Sequence, residues 1–293
     1  MQNVDINLDL TVDRTLSLQW IVSEDSYTFH VYLIDKPSTR RGVLSTASSL
    51  YDPLGFVAPV TLLPKLILQS FDGKWDDPLD CSKEKKWHKW KEQLKHLEDL
   101  RIPRCYFKQE CYSPEMHVFS DASELAYGAV IYLRLSSTPP KLAFVTGKSR
   151  VAPKKTVSIP RLELNAAAIA CKLADSVKTN LRIKPVSTTF WTDSIAVLRF
   201  INNTRSRFKV FVANRLSIIH EFTTPSQWQY VKTEENPADL ASRGVSPDDL
   251  NAFSSGSTVL ISSFTPTLHT SRRQTRNRMT SLQKRHQKQR LLQ

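Results

Sequence analysis

Met116-His-Val-Phe-Ser-Asp121-Ala-Ser-Glu-Leu-Ala126-Tyr-Gly-Ala-Val-Ile-Tyr-Leu133 is the stretch from which this chain is read. Met116 to Ser120 is a short apolar run that predicts a strand. Asp121 follows it directly, and Ala126 to Leu133 predicts a second strand. Ser136 to Pro140 reads as a turn and Lys141 to Thr146 as a third strand. Pro160 to Thr179 reads as a long helix, with alanines and leucines of high helix propensity and a proline suited to the first turn. Val186 to Thr192 and Trp228 to Lys232 predict two more strands. Ile195 to Ile201, Phe211 to Phe222 and Asn236 to Ser242 are helical in pattern. The order β-β-β-α-β-α-α-β-α implies an α/β fold, one mixed five-stranded sheet flanked by helices.

Upstream the pattern changes. Leu16, Leu18 and Trp20 alternate with polar residues, and Tyr27 to Ile34 is rich in β-branched and aromatic types, so a hairpin is expected around Ser23 to Ser26. Val43 to Leu50 and Val60 to Ser70 read as helices separated by prolines. Trp87, Trp90, Leu94 and Leu97 mark one face of a helix within residues 80 to 100, whose lysines form a solvated basic side. Residues 101 to 115 read as a linker. Three segments follow: a smaller α+β segment over 1–110, the α/β domain over 111–246, and a tail over 247–293. Asn251 to Gln293 holds no Asp or Glu and eight Lys or Arg, so disorder is expected there.

The net charge of +13 lies largely in that tail and favours a polyanionic partner. No G-x-G-x-x-G or G-x-x-x-x-G-K-[ST] pattern occurs, which leaves dinucleotide and Walker-type sites unsupported. Cys81, Cys105, Cys111 and Cys171 form no C-x-x-C pair, so neither a zinc ribbon nor a disulfide framework follows. The N-terminus has no basic-then-apolar leader, and the most apolar stretch, Val43 to Gln69, is broken by charges and prolines. The expected location is cytoplasmic or nuclear, not secreted, with no membrane partner.

Four acidic residues stand where the chemistry would need them. Asp121 and Asp193 each follow an apolar strand. Glu163 lies between Leu162 and Leu164 in the expected first turn of the long helix, and Asp239 opens the last helical turn. Each has a plain alternative as a turn residue, a cap or a dipole partner. Strand ends and helix starts of an α/β sheet converge on one crevice. Four carboxylates gathered there repel unless cations are present, and oxygen-only ligands suit Mg²⁺ or Mn²⁺. Two such ions about 4 Å apart serve phosphodiester hydrolysis.

These motifs in order resemble a type 1 ribonuclease H domain as carried by BEL/Pao-type LTR retrotransposon polyproteins. The matching stretches are Phe119-Ser-Asp-Ala-Ser123 with Ala126-Tyr-Gly-Ala129, Ser158-Ile-Pro-Arg-Leu-Glu-Leu164, Trp191-Thr-Asp-Ser194, Phe211-Val-Ala-Asn-Arg215 and Glu235-Asn-Pro-Ala-Asp-Leu-Ala-Ser-Arg-Gly244. Upstream, Arg40-Arg-Gly-Val-Leu-Ser45 and Tyr51-Asp-Pro-Leu-Gly-Phe-Val-Ala-Pro59 resemble the family's connection between polymerase and ribonuclease H. The resemblance implies a ribonuclease H-like fold preceded by a thumb/connection-like segment, in a piece of a longer Pol polyprotein. It implies that Asp121, Glu163, Asp193 and Asp239 are catalytic and hold two Mg²⁺ (or Mn²⁺) ions. One ion would activate water and the other would stabilise the leaving 3′ oxygen.

The implied substrate is the RNA strand of an RNA–DNA hybrid during reverse transcription, with the polymerase portion of the same polyprotein as a partner. Ser123, Asn165 and Ser194 are expected to contact the 2′-hydroxyls. Arg161, Lys148, Arg150 and Arg243 are candidates for phosphates. Many ribonucleases H carry a histidine in the loop before the fourth acid. Here Lys232 to Asp239 has none, so the expectation is either that Glu234 or Glu235 assists or that turnover is slower. The alternatives are an idle nucleic-acid-binding remnant and the peptidase that has been attached to the family by label. The chain has no Asp-[Ser/Thr]-Gly for an aspartic peptidase, no Tyr-x-Asp-Asp for a polymerase and no His-His-Cys-Cys spacing for an integrase.

Overall fold

The computed structural model describes residues 17–107, 113–137, 140–203 and 207–249. Cys111 and the basic tail from Leu250 onward lie outside the described residues, and so does the expectation of disorder made for that tail.

The α/β part is a five-stranded sheet of order β6-β5-β4-β7-β8. Its strands are β4 (Glu115–Ala122), β5 (Ala126–Leu135), β6 (Lys141–Val151), β7 (Ser187–Thr192) and β8 (Trp228–Tyr230). β4, β7 and β8 are parallel to one another, and β5 runs antiparallel to β4 and β6, so the sheet is mixed as expected. On one face lie α4 (Ile159–Asn180), α5 (Ile195–Asn202) and α6 (Val210–Phe222). Their apolar stripes meet Met116, Val118, Ile131 and Phe190 in one core, where the small side chains of Ala167, Ala170 and Ala174 let α4 approach the sheet. Because successive strand residues point to opposite faces, His117, Phe119 and Asp121 project to the other side. There α7 (Asp239–Arg243) lies against β4 and β5.

The upstream residues form a three-stranded sheet of order β1-β2-β3 and three helices. The strands are β1 (Leu18–Ile21), β2 (Ser26–Phe29) and β3 (Ile102–Pro103). The helices are α1 (Arg40–Ser49), α2 (Ala58–Ser70) and α3 (Cys81–Gln93), the last running on into a 3₁₀ turn over Leu94–Asp99. The expected hairpin is present, joined at Val22–Asp25, but β2 stops at Phe29 rather than Ile34. The expected linker contributes β3, because Tyr27 and Ser26 still have pairing partners to accept there. Trp87, Trp90, Leu94 and Leu97 are all buried in a second core with Val43, Val60 and Ile67, as their spacing predicts. The indole N–H of Trp90 donates to the Val60 carbonyl at 3.0 Å, which ties α3 to the first turn of α2.

Tyr51 to Pro59 joins the two parts. Asp52 accepts the backbone N–H groups of Phe56 (2.9 Å) and Val57 (2.8 Å), satisfying donors at the start of α2. This folds Leu54 and Gly55 outward onto β6, where Gly147 N–H donates to the Leu54 carbonyl at 2.9 Å. Gly55 has φ +75°, and a Cβ there would lie 1.9 Å from the Gly147 carbonyl oxygen, so only glycine fits. Phe56 packs on Phe144 of β6 with ring centroids 5.1 Å apart.

Candidate functional site

Asp121 and Asp193 come to the same edge because β4 and β7 are adjacent and parallel, in register from Glu115↔Ser187 to Ser120↔Thr192. Asp193 follows the last residue of β7, as expected. Asp121 lies inside β4 rather than after it, since pairing with β5 runs on through Asp121↔Gly128 to Ala122↔Tyr127. Glu163 corrects a second expectation. α4 starts at Ile159 behind Ser158, so Glu163 falls in the second turn, and the first turn holds no acid. A role as dipole partner is thereby removed. Leu162 packs against Ala122 and Ala152, Leu164 enters the main core, and Glu163 between them is turned to the strand ends.

Asp121, Glu163 and Asp193 each place a carboxylate oxygen so that all three lie within 4.8 Å of one another. Asp121 and Glu163 are buried. Burial, aided by its acidic neighbours, pushes the Glu163 carboxyl up to about 9. Burial likewise raises Asp121 to about 6, with Asp193 and Asp239 adding to the shift and a hydrogen bond from Ser242 opposing it. Glu163 Oε2 and Asp193 Oδ1 are buried with no hydrogen-bond partner. Clustered carboxylates with orphaned buried oxygens fit a hard divalent cation, which would satisfy them and restore their ionised form.

Asp239 opens α7, as its position after Asn236-Pro237 predicts, and its carboxylate is held by Arg243 Nε at 2.5 Å. It lies outside the three-acid set yet close enough to raise Asp121. The segment that carries it is fastened to β4 by two residues that sequence reading gave no role. Asn236 donates its amide to the Ser120 carbonyl at 3.1 Å and accepts the Ala238 N–H at 3.1 Å. Ser242, wholly buried, donates its hydroxyl to Asp121 Oδ2. Both lie within the Glu235–Gly244 motif, but no local signal marks them, because their partners on β4 are 116 and 121 residues away.

The residues expected to meet nucleic acid are spread around this edge. Ser123 closes the β4–β5 turn, donating to the Ser242 carbonyl at 2.7 Å and accepting from Leu125 and Ala126. Ser194 is the N-cap of α5. Asn165 accepts Arg215 Nε at 3.0 Å. Arg215 and the exposed Arg161 both lie over the Phe211 ring, 4.0 and 5.3 Å from its centroid, so two guanidinium groups share one aromatic platform. Lys148 and Arg150 are exposed on β6. Glu234 and Glu235 are exposed in a 3₁₀ turn before Asn236. A cavity of about 660 Å³ opens beside Ser158 and Leu162, walled opposite by Gln69 and Ser70 of α2.

Among solved structures, the chain resembles the N-terminal RNase H domain of a Mycobacterium tuberculosis protein, at 13% identity and TM-score 0.34, over 50% of this chain and 99% of that one. It resembles RNase H1 of the archaeon Halobacterium salinarum at 14% identity and TM-score 0.30, over 44% and 92%. It also resembles a foamy viral protease–reverse transcriptase in complex with double-stranded DNA, at 11% identity and TM-score 0.45, over 74% of this chain and 38% of that one. No curated protein sequence matches. No helix among the described residues is long and apolar enough to cross a membrane. The family model for the Pao retrotransposon-like RNaseH-like domain matches residues 39–194, from the N-cap of α1 to the residue after Asp193. The chain belongs to the Pao retrotransposon-like RNaseH-like domain family.

Proposed function

We propose that this chain is a retrotransposon ribonuclease H that hydrolyses the RNA strand of RNA–DNA hybrids during reverse transcription. The observation that carries this reading is the convergence of Asp121, Glu163 and Asp193 within 4.8 Å, with two of their oxygens buried and unpartnered. Asp121, Glu163, Asp193 and Asp239 are the ligands for two Mg²⁺ or Mn²⁺ ions. When bound, the ions supply a nucleophilic water and stabilisation of the leaving 3′ oxygen.

The chain's own residues do the rest. Ser242 and Asn236 orient the β4 and α7 acids. Arg243 is a counter-ion to Asp239 and can turn to a phosphate. Arg161, which shares the Phe211 ring with Arg215, draws the hybrid backbone toward the α4 side, with Asn165, Ser123 and Ser194 near the sugar edge. Glu234 or Glu235 takes the place of the absent loop histidine in proton transfer. Residues 1–110 form the connection-like part and 111–246 the nuclease part. The basic tail over 247–293 adds grip on nucleic acid, and the polymerase portion of the polyprotein acts as partner.

The test is cleavage of a labelled RNA–DNA hybrid in Mg²⁺ and then Mn²⁺, with Asp193→Asn alongside. Scission of the RNA strand by the wild type alone supports the reading. Binding without scission in either metal, by folded protein, replaces it with an idle binding module.

A further inference from the structure

The acid that lies outside the three-acid set is carried by a helix that cannot hold itself. α7 has five residues, far below the roughly 12–15 at which an isolated helix becomes even marginally stable. The direction of Asp239 is therefore set by what α7 rests on. One side rests on the sheet: Gly128 leaves so little room that a Cβ there would lie 2.7 Å from the Ala241 Cβ. The opposite side rests on the upstream helices. Leu240 and Val245, which bracket the C-terminal end of α7, lie in the upstream core with Val60, Ile67 and Trp90.

The exit from α7 is shaped to α2. Gly244 adopts φ +79°, and a Cβ on it would come within 2.8 Å of Leu63 Cδ2 and 3.3 Å of the Pro59 carbonyl oxygen. The next residue, Val245, donates its N–H to that same carbonyl at 3.3 Å. α2 is itself fixed to the sheet along β6. Leu54 binds Gly147 just before α2, Gln69 in its last turn bonds the Ala152 carbonyl, and Asp72 just beyond pairs with Lys154 at 2.7 Å. Two parts joined only by a tether would be expected to meet through a modest polar surface. Here a glycine close approach, a half-buried leucine and a buried valine all cross from one part into the other. The family match likewise runs unbroken from Thr39 across both.

We infer that α2 is a working part of the nuclease, with Pro59 and Leu63 acting as positioning residues that set Asp239 against the other three acids. This rests on the metal-site reading above. Neither residue touches the acids; each acts through the Gly244–Val245 backbone. The upstream segment is then a fixed wall of the active site, in addition to any hold it has on substrate.

The experiment uses the full chain and three variants: Leu63→Ala, Leu97→Ala and Asp239→Asn. Leu63 is only partly buried, and Leu63→Val serves if the alanine variant does not fold. Leu97→Ala is the control, a truncation in the same core at a residue far in sequence from both α2 and α7. Mn²⁺ binding is followed by calorimetry, and hybrid cleavage is followed against Mg²⁺ concentration. Leu63→Ala is expected to raise the Mg²⁺ midpoint and weaken Mn²⁺ binding by about 10-fold, the low end for loss of a ligand-orienting partner, with KM for hybrid little changed. Leu97→Ala is expected to lower the melting temperature without moving the metal midpoint. In an Asp239→Asn background the Leu63→Ala effect should vanish.

Equal metal shifts for Leu63→Ala and Leu97→Ala, or an undiminished Leu63→Ala effect in Asp239→Asn, overturn the inference and leave the nuclease reading standing. A wild type that neither cleaves nor binds Mn²⁺ overturns both.

Discussion

Ser242 gives its hydroxyl hydrogen to Asp121 Oδ2 across 121 positions of sequence, and no water reaches either group freely, since both residues are buried. One small side chain thus links the helix of Asp239 to the strand of Asp121. Its hydroxyl also lies 3.0 Å from the Asp239 backbone carbonyl oxygen, one turn back in α7.

Ser242→Ala leaves one oxygen of a buried carboxylate without its donor. The expected loss is about 1–3 kcal/mol of stability in metal-free protein, seen as a lower urea midpoint at unchanged m-value. Added Mg²⁺ should narrow the gap to wild type, because the ion takes over the satisfaction of Asp121. An equal gap with and without metal would assign Ser242 to packing alone.

The acid cluster makes stability fall as pH rises in the absence of metal. Asp121 is raised to about 6 and Glu163 to about 9 in the folded chain, both above their unfolded values. Protonation therefore favours the folded state. The contribution is complete below about pH 4 and is lost as pH climbs through 6 and toward 9, by roughly 3 kcal/mol for Asp121 alone. Melting of metal-free protein should therefore fall steadily between about pH 4 and pH 9, and Glu163→Gln should flatten the alkaline limb. Mn²⁺ binding near pH 7 should release protons, measurable as a buffer-dependent heat.

Arg161 is exposed and its guanidinium rests over Phe211. Arg161→Ala should leave the melting temperature unchanged and weaken hybrid binding. The slope of log K against log salt should shrink by about 1, as expected for one lost phosphate contact. Fluorescence anisotropy at several salt concentrations checks this. An unchanged slope would make Arg161 a solvated surface charge.

Asp52 closes the start of α2 by accepting two backbone N–H groups, although burial raises its carboxyl above the ordinary range. Asp52→Ala should cost about 2–3 kcal/mol in urea denaturation, since two charge-assisted hydrogen bonds are lost at a helix start. Asp52→Asn, which keeps one acceptor oxygen, should cost less.

Much of this was legible from residue pattern. The element order gave the mixed sheet, because alternating apolar strands and a long alanine-rich helix leave little choice of layer. Asp193 and Asp239 stood where their neighbours placed them. Asp121 and Glu163 were each displaced by part of an element, since strand pairing and helix starts depend on partners that local sequence does not name. Asn236 and Ser242 were invisible as positioning groups because their partners lie more than a hundred residues away. Gly55 and Gly244 were quoted as parts of motifs, but only the fold reveals that each makes room for another chain segment.

The contact of Leu54 and Gly55 with β6 has one more consequence. β6 is an eleven-residue strand on the outer edge of the sheet, and Gly147 spends its outward N–H on Leu54. An open edge of that length is a template for a strand from another molecule. The Tyr51–Pro59 segment thus guards against self-association. A chain shortened to begin near residue 111 would expose the edge, and its characteristic failure would be oligomers growing strand upon strand.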